Sequence, residues 1–95
     1  VDTGWVLYGG IDPAVFLKRL GGRLRSVHFK DMAQGCQSLS GLDRFAVLGS
    51  GVTDIPAVMA AIPQGVPVLV DQDATRGDFF VDLATSLRAM QAVRE

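Results

Sequence analysis

Two short apolar runs divide the chain and predict its strands. Residues 24–29 read LRSVHF and residues 66–70 read VPVLV, and both are rich in β-branched or aromatic residues. A continuous run of this length is typical of a parallel strand that is covered on both faces. Pro67 lies at the start of its run, where a strand tolerates proline best. We therefore expect two buried parallel strands.

The segment before the first strand carries the signals of a helix. Asp12 is suited to an N-cap, and Pro13 follows at the first helical position. Phe16 and Leu20 are four residues apart and therefore share a helix face. The Gly-Gly pair at residues 21 and 22 predicts the end of this helix.

Two further helices are predicted after the first strand. One begins near residue 53 or 54, has Pro56 in its first turn and stops by Pro63. The other begins near Asp78 and has apolar side chains at 79, 83, 87 and 90. This spacing forms a single helical stripe, which we expect to pack in the core.

The order of these elements indicates the fold class. Alternating strands and helices predict an α/β fold in which right-handed crossovers build a parallel sheet. Residues 32–44 form a polar, glycine-containing loop, and a strand-like FAVLG follows at 45–49. Loops of this length are uncommon unless they are functional or flexible. The opening VDTGW resembles the end of a strand whose beginning is missing, so we expect residues 1–95 to be part of a longer domain.

Composition narrows the classes of partner. The chain is 48% hydrophobic and 20% charged with a net charge of −1, which is typical of a soluble globular protein and gives no basis for binding nucleic acid or an acidic membrane. No apolar stretch approaches the ~20 residues of a membrane helix. Cys36 is the only cysteine, which excludes an internal disulfide and favours a cytoplasmic location.

Polar side chains follow all three predicted strand ends: Asp2; His28 with Lys30 and Asp31; and Asp71 with Asp73. The carboxyl ends of parallel strands meet at one edge of a sheet, where sites are commonly built. An imidazole nitrogen with carboxylate oxygens suits Mn²⁺, Mg²⁺, Co²⁺ or Zn²⁺. The residue types alone leave two interpretations open, a divalent metal site and a polar rim of structural residues.

The Gly49-Ser50-Gly51 turn also has two interpretations. Its N–H groups precede a helix and are suited to a phosphate. It lacks the Gly-Lys-Ser/Thr of a P-loop and the GxGxxG spacing. We therefore favour a tight turn that leads into an N-cap.

The ordered motifs DTGW, GGIDP, VHFKD, LGSGVTD and VPVLVDQD resemble the C-terminal part of the sugar phosphate isomerase/epimerase family. This family has a xylose isomerase-like TIM barrel and includes inosose dehydratases and ketose 3-epimerases. The resemblance spans nearly the whole chain. It implies about three βα units of a (β/α)₈ barrel, which needs ~250 residues in full. The missing units, or a second copy of the chain, would then be partners.

The resemblance also implies roles for individual residues. Asp2, His28 and Asp71 match metal ligands, and Asp71 also matches the catalytic general acid/base. Trp5 matches a position that contacts the substrate, a sugar or cyclitol. Lys30, Asp31 and Asp73 match positions that lie near the substrate or support the metal ligands. The implied reaction is metal-assisted proton transfer next to a carbonyl.

Three departures from the family pattern support a second hypothesis, that this segment keeps the fold without activity. Trp5 stands where the family has a histidine, and an indole cannot bind metal or shuttle a proton. Asp71 replaces a glutamate and is one methylene shorter. The family's ligands from earlier strands lie outside these 95 residues. A small α/β binding module with an unrelated ligand is a third hypothesis; the absence of a basic surface disfavours an endonuclease of the same fold group.

Overall fold

The computed structural model of the protein describes residues 1–72, 75 and 77–94. It is a mixed α/β structure whose helices are α1 (Thr3–Tyr8), α2 (Pro13–Leu20), α3 (Ile55–Ala60) and α4 (Phe79–Arg94). Its strands are β1 (Val27–Phe29), β2 (Asp31–Met32), β3 (Phe45–Ala46) and β4 (Val68–Val70), and short 3₁₀ turns cover Gly21–Arg23, Cys36–Ser38 and Gly41–Arg44.

The central sheet is parallel, as predicted. β1 pairs with β4 in a register that sets His28 opposite Leu69. On the other side of β1, Asp2 forms a parallel bridge with His28, and the His28 N–H donates to the Val1 carbonyl over 2.7 Å. Residues 1–2, β1 and β4 therefore lie side by side in chain order, and Asp2 lies at the end of a paired segment, as the VDTGW motif indicated.

The three predicted helix starts are confirmed, because each is fixed by a local hydrogen bond. Asp12 accepts from the N–H groups of Ala14 and Val15 at 2.8 and 3.2 Å. Asp54 accepts from the Ala57 N–H at 3.1 Å, and Asp78 accepts from the Phe80 and Val81 N–H groups. These carboxylates satisfy donors that a helix leaves unpaired in its first turn.

The core lies on one side of the sheet, between β1 and the helices. Val27 and Phe29 are fully buried there, and Leu17 of α2 and Val58 of α3 are each 1% exposed. Met90 brings α4 into the same cluster. The helices thus cover one face of the sheet. The other face carries His28, which lies between Val27 and Phe29 and therefore projects the opposite way.

The prediction that both strands are covered on both faces is corrected for the described residues, which cover one face only. The His28 side chain is 49% exposed, and Leu69 is 50% exposed. The two residues are register partners and so project from the same face. The hydrophobic pattern cannot reveal the exposed face, because β4 has apolar side chains on both faces. The described residues cover only one of these faces.

The predicted core stripe of α4 is also corrected. Phe79 is 46% exposed and Leu87 is 43% exposed, whereas Met90 is buried. The face that meets the core is rotated toward Ser86, whose hydroxyl accepts from the Leu48 N–H at 3.1 Å. The apolar stripe of α4 is therefore wider than the surface that the described residues cover.

The segment after β1 is more structured than the predicted loop, and its strands are not parallel. β2 and β3 form an antiparallel pair in which Asp31 lies opposite Ala46 and Met32 lies opposite Phe45. This pair closes the loop at its base. α1 was not predicted; it begins directly after Asp2, which accepts from the Trp5 N–H at 3.1 Å.

No helix within the described ranges has the length and apolarity required to cross a membrane.

Candidate functional site

Three of the predicted ligand residues converge at the carboxyl edge of the parallel sheet. Asp2, His28 and Asp71 each offer a ligand atom, and these atoms all lie within 4.8 Å of one another. His28 Nδ1 is 3.5 Å from Asp71 Oδ2. One imidazole nitrogen and two carboxylate oxygens match the preferences of a divalent cation.

Backbone register creates this convergence. Asp2 and His28 are bridge partners, and Asp71 lies two residues beyond Leu69, the partner of His28. The Asp71 N–H continues the ladder by donating to the Phe29 carbonyl at 3.0 Å. Since residues two apart on a strand share a face, Asp71 projects toward His28.

Lys30 lies in the same cluster and is almost fully buried. Its side chain is 2% exposed, and Nζ is 3.0 Å from Asp2 Oδ2 and 3.5 Å from Asp71 Oδ2. A buried ammonium needs such partners to offset its lost hydration. The two carboxylates that would hold a metal thus also neutralise Lys30, and a cation bound there would share them with it.

Thr3 and Gly4, which sequence reasoning missed, hold Lys30 in this position. The buried Thr3 hydroxyl donates to the Lys30 carbonyl at 3.1 Å and accepts from the Lys30 N–H at 3.0 Å. Gly4 leaves room for the aliphatic stem: a Cβ there would lie 2.8 Å from Lys30 Cγ and Cδ. The sequence feature that could have identified them is the Asp-Thr-Gly order. It places a hydroxyl, and then a residue without a side chain, directly after the predicted ligand Asp2.

Gly4→Ala is expected to displace the Lys30 stem and to lower the free energy of unfolding by about 1–3 kcal/mol, the usual cost of overpacking a filled site. Urea unfolding measures this change. Gly22→Ala is the matched control, because a Cβ at Gly22 meets nothing within 4 Å. Equal stability of the two variants would contradict close packing of Lys30 against Gly4.

Trp5 forms one wall beside the cluster. Its side chain is 37% exposed, and Lys30 Nζ lies 5.1 Å from its ring centroid. The Tyr8 and Phe45 rings stand perpendicular to the indole, with centroid distances of 5.4 and 5.7 Å. Trp5 therefore offers a partly exposed aromatic surface next to the charged groups, as its predicted contact with a substrate requires.

Asp31 lies elsewhere, and its predicted contact with a substrate is not supported by this geometry. It is 1% exposed. Its Oδ1 accepts from the N–H groups of Met32 and Thr53, and its Oδ2 accepts from those of Gly49 and Gly51, all at 2.9–3.0 Å. Strand alternation explains the difference, because residue 31 projects away from the face that residues 28 and 30 share.

The same contacts explain the Gly49-Ser50-Gly51 turn. Its N–H groups do face an anion, but the anion is the Asp31 carboxylate of the same chain. The interpretation as a tight turn leading into the Asp54 N-cap is confirmed. Asp73, the remaining predicted contact residue, lies outside the described residues.

Comparisons with known families, with curated proteins and with solved structures gave no match to this chain. The chemistry of the site is therefore inferred from the side chains of Asp2, His28, Lys30 and Asp71.

Proposed function

We propose that the chain is the C-terminal segment of a (β/α)₈ barrel of the sugar phosphate isomerase/epimerase type. In this proposal its site catalyses proton transfer next to the carbonyl of a sugar or cyclitol. The observation that carries the proposal is the convergence of the Asp2, His28 and Asp71 ligand atoms within 4.8 Å. They lie at the ends of three adjacent parallel segments, the position where barrel enzymes build their sites.

The sheet supports the barrel part of the proposal. Its parallel segments neighbour each other in chain order, as successive barrel strands do. Its uncovered face carries His28 and Leu69, and inward-facing residues of a barrel would occupy such a face. We infer that further strands, from the rest of a barrel or from a second copy, cover Leu69.

A divalent cation would supply Lewis-acid chemistry at this site, polarising the carbonyl and hydroxyl oxygens of the substrate. Asp2, His28 and Asp71 would hold it. The Asp71 carboxylate, which is 33% exposed, would also take up and return the proton. Buried Lys30 would place positive charge beside oxygens that become negative, and Trp5 would stack on the apolar face of the sugar.

Metal binding by the purified chain tests the proposal. Equilibrium dialysis against Mn²⁺ is expected to show one site, with affinity at least ~10-fold weaker in His28→Ala and in Asp71→Ala, because each removes one of three protein ligands. Asp43→Ala is the control, since that carboxylate is exposed and outside the cluster. Unchanged Mn²⁺ affinity in both cluster variants would rule out this site.

A second candidate function, a binding segment without catalysis, is favoured by the position of Lys30. Its ammonium lies among the carboxylates that would bind the cation. Incubation of ketoses and inososes with the Mn²⁺-loaded chain in D₂O separates the candidates. Deuterium incorporation next to the carbonyl, lost in Asp71→Ala, indicates catalysis; metal binding without any exchange indicates the binding segment.

A further inference from the structure

Arg44 lies inside a box of three aromatic rings beside the candidate site. Its guanidinium carbon is 5.3 Å from the Trp5 centroid, 5.5 Å from that of Tyr8 and 5.0 Å from that of Phe45. Tyr8 and Phe45 meet the indole at interplanar angles of 85° and 87°. These are cation–π distances, and contacts with three rings hold the guanidinium beside Trp5. A side chain that is already held loses less conformational entropy when it binds a ligand.

Arg44 is partly exposed, and its side-chain hydrogen bond involves Nε. Nε donates to the Gly41 carbonyl at 3.1 Å, which fixes the inner side of the guanidinium to its own 3₁₀ turn. Among the described residues, no acceptor bonds either Nη group and no carboxylate forms an ion pair with it. Lys30 differs, because two carboxylates already contact its ammonium. Within the described part of the chain, Arg44 is thus a held cation whose Nη donors have no acceptor.

The strands hold Arg44 close to the candidate site. Its carbonyl accepts from the Ala33 N–H at 2.9 Å, and Phe45 pairs with Met32 in the antiparallel sheet. Both Arg44 and Lys30 lie just over 5 Å from the Trp5 centroid, so the two cations are at most about twice that distance apart. A small molecule bound against Trp5 would therefore lie close to Arg44.

We propose that Arg44 binds the oxyanion of a small molecule, a carboxylate or a phosphate group, whose remainder stacks on Trp5. A planar guanidinium whose Nη groups bond no acceptor among residues 1–72, 75 and 77–94 matches such an oxyanion in a bidentate geometry. Charge-assisted hydrogen bonds of this kind are strong. The inference goes beyond the proposed function and does not require a metal or a reaction. Within the proposed function, it would restrict the substrates to acidic or phosphorylated ones.

Trp5 provides the measurement, because it is the only tryptophan in the chain. The metal-free chain is titrated with inorganic phosphate and, separately, with acetate, at ionic strength held constant with NaCl. Tryptophan emission and isothermal calorimetry are followed together. We expect saturable binding of at least one of the two anions and a change in Trp5 emission over the same concentration range.

Three variants test the role of Arg44. Arg44→Gln is expected to abolish saturable binding, and Arg44→Lys to weaken it at least ~10-fold, because an ammonium keeps the charge but loses the planar fork. Arg23→Gln should bind like the natural chain. Arg23 is the matched control, an exposed arginine whose guanidinium donates to the Leu20 and Arg19 carbonyls.

The outcomes distinguish a phosphorylated ligand from a carboxylate, and they test this inference independently of the proposed function. Saturation by phosphate alone identifies a phosphorylated ligand, and saturation by acetate identifies a carboxylate. Binding of neither anion by either method, or equal affinity in Arg44→Gln, overturns the inference. If Arg44→Gln does not fold, equal affinity in Arg44→Lys overturns it instead. The titrations contain no metal and no sugar, so failure of the proposed reaction leaves this result unaffected.

Discussion

Asp31→Ala is expected to lower the free energy of unfolding by about 4 kcal/mol, the largest effect on stability that we predict for a single substitution. The Asp31 carboxylate is buried and accepts four backbone N–H groups, from Met32, Gly49, Gly51 and Thr53. Hydrogen bonds to a charged group contribute about 1.5–3 kcal/mol each, and a buried donor left without an acceptor costs a similar amount. These contributions do not add fully, and we expect a loss of about 4 kcal/mol.

A loss of this size is a large part of the whole stability of a small domain, which is typically about 5–15 kcal/mol. Among the residues that the structure describes, the Gly49, Gly51 and Thr53 N–H groups bond no acceptor other than Asp31. Gly51 allows the close approach on which these bonds depend, since a Cβ there would lie 2.6 Å from Asp31 Cγ. Loss of the carboxylate is therefore expected to open the turn from Gly49 to Thr53 and to release the start of α3.

Urea unfolding followed by far-UV circular dichroism measures this effect. Asp31→Asn should lie between the natural chain and Asp31→Ala, because an amide keeps one acceptor oxygen and loses the charge. Asp43→Ala, at an exposed acid of the same segment, should change the free energy of unfolding by no more than about 0.5 kcal/mol. An Asp31→Ala variant as stable as Asp43→Ala would show that the four bonds do not support the turn.

The features that the sequence predicts correctly are those determined within a few residues. The starts of α2, α3 and α4 follow from an aspartate that bonds an N–H two or three positions later. The convergence of Asp2, His28 and Asp71 could also be anticipated, because parallel strand ends meet at one edge. Only the register, with His28 opposite Leu69, shows that all three side chains share a face.

The features that the sequence does not predict depend on contacts between distant residues. Asp31 and Lys30 were both predicted as site residues, but adjacent strand residues project to opposite faces. Asp31 therefore bonds the Gly49 turn, whereas Lys30 lies in the cluster with Asp2. Arg44 was unremarkable in the sequence, because its aromatic neighbours come from α1 and β3. The apolar stripe of α4 predicted burial, whereas the described residues cover only the part near Met90.

Lys30→Met is expected to raise the affinity of the chain for Mn²⁺ by ~10-fold or more, the largest gain of affinity that we predict. The ammonium lies 3.0 and 3.5 Å from the two carboxylates that would coordinate the cation. A cation held by the same carboxylates would lie within a few Å of the ammonium, and two like charges ~4 Å apart repel by about 4 kcal/mol at an effective dielectric constant of ~20. Each 1.4 kcal/mol is tenfold in affinity. Methionine keeps an unbranched apolar stem against Gly4 and removes only the charge.

The same substitution should destabilise the metal-free chain by about 2 kcal/mol, because Asp2 and Asp71 then repel each other without a cation between them. Added Mn²⁺ should restore the urea midpoint of Lys30→Met and change that of the natural chain less, since a ligand stabilises the state that binds it better. Lys18→Met, at an exposed position on α2, is the matched control and should alter neither quantity. An Mn²⁺ affinity that is unchanged or lower in Lys30→Met would mean that the cation does not bind among these carboxylates, and it would place Lys30 in an ion-pair network that stabilises the edge of the sheet.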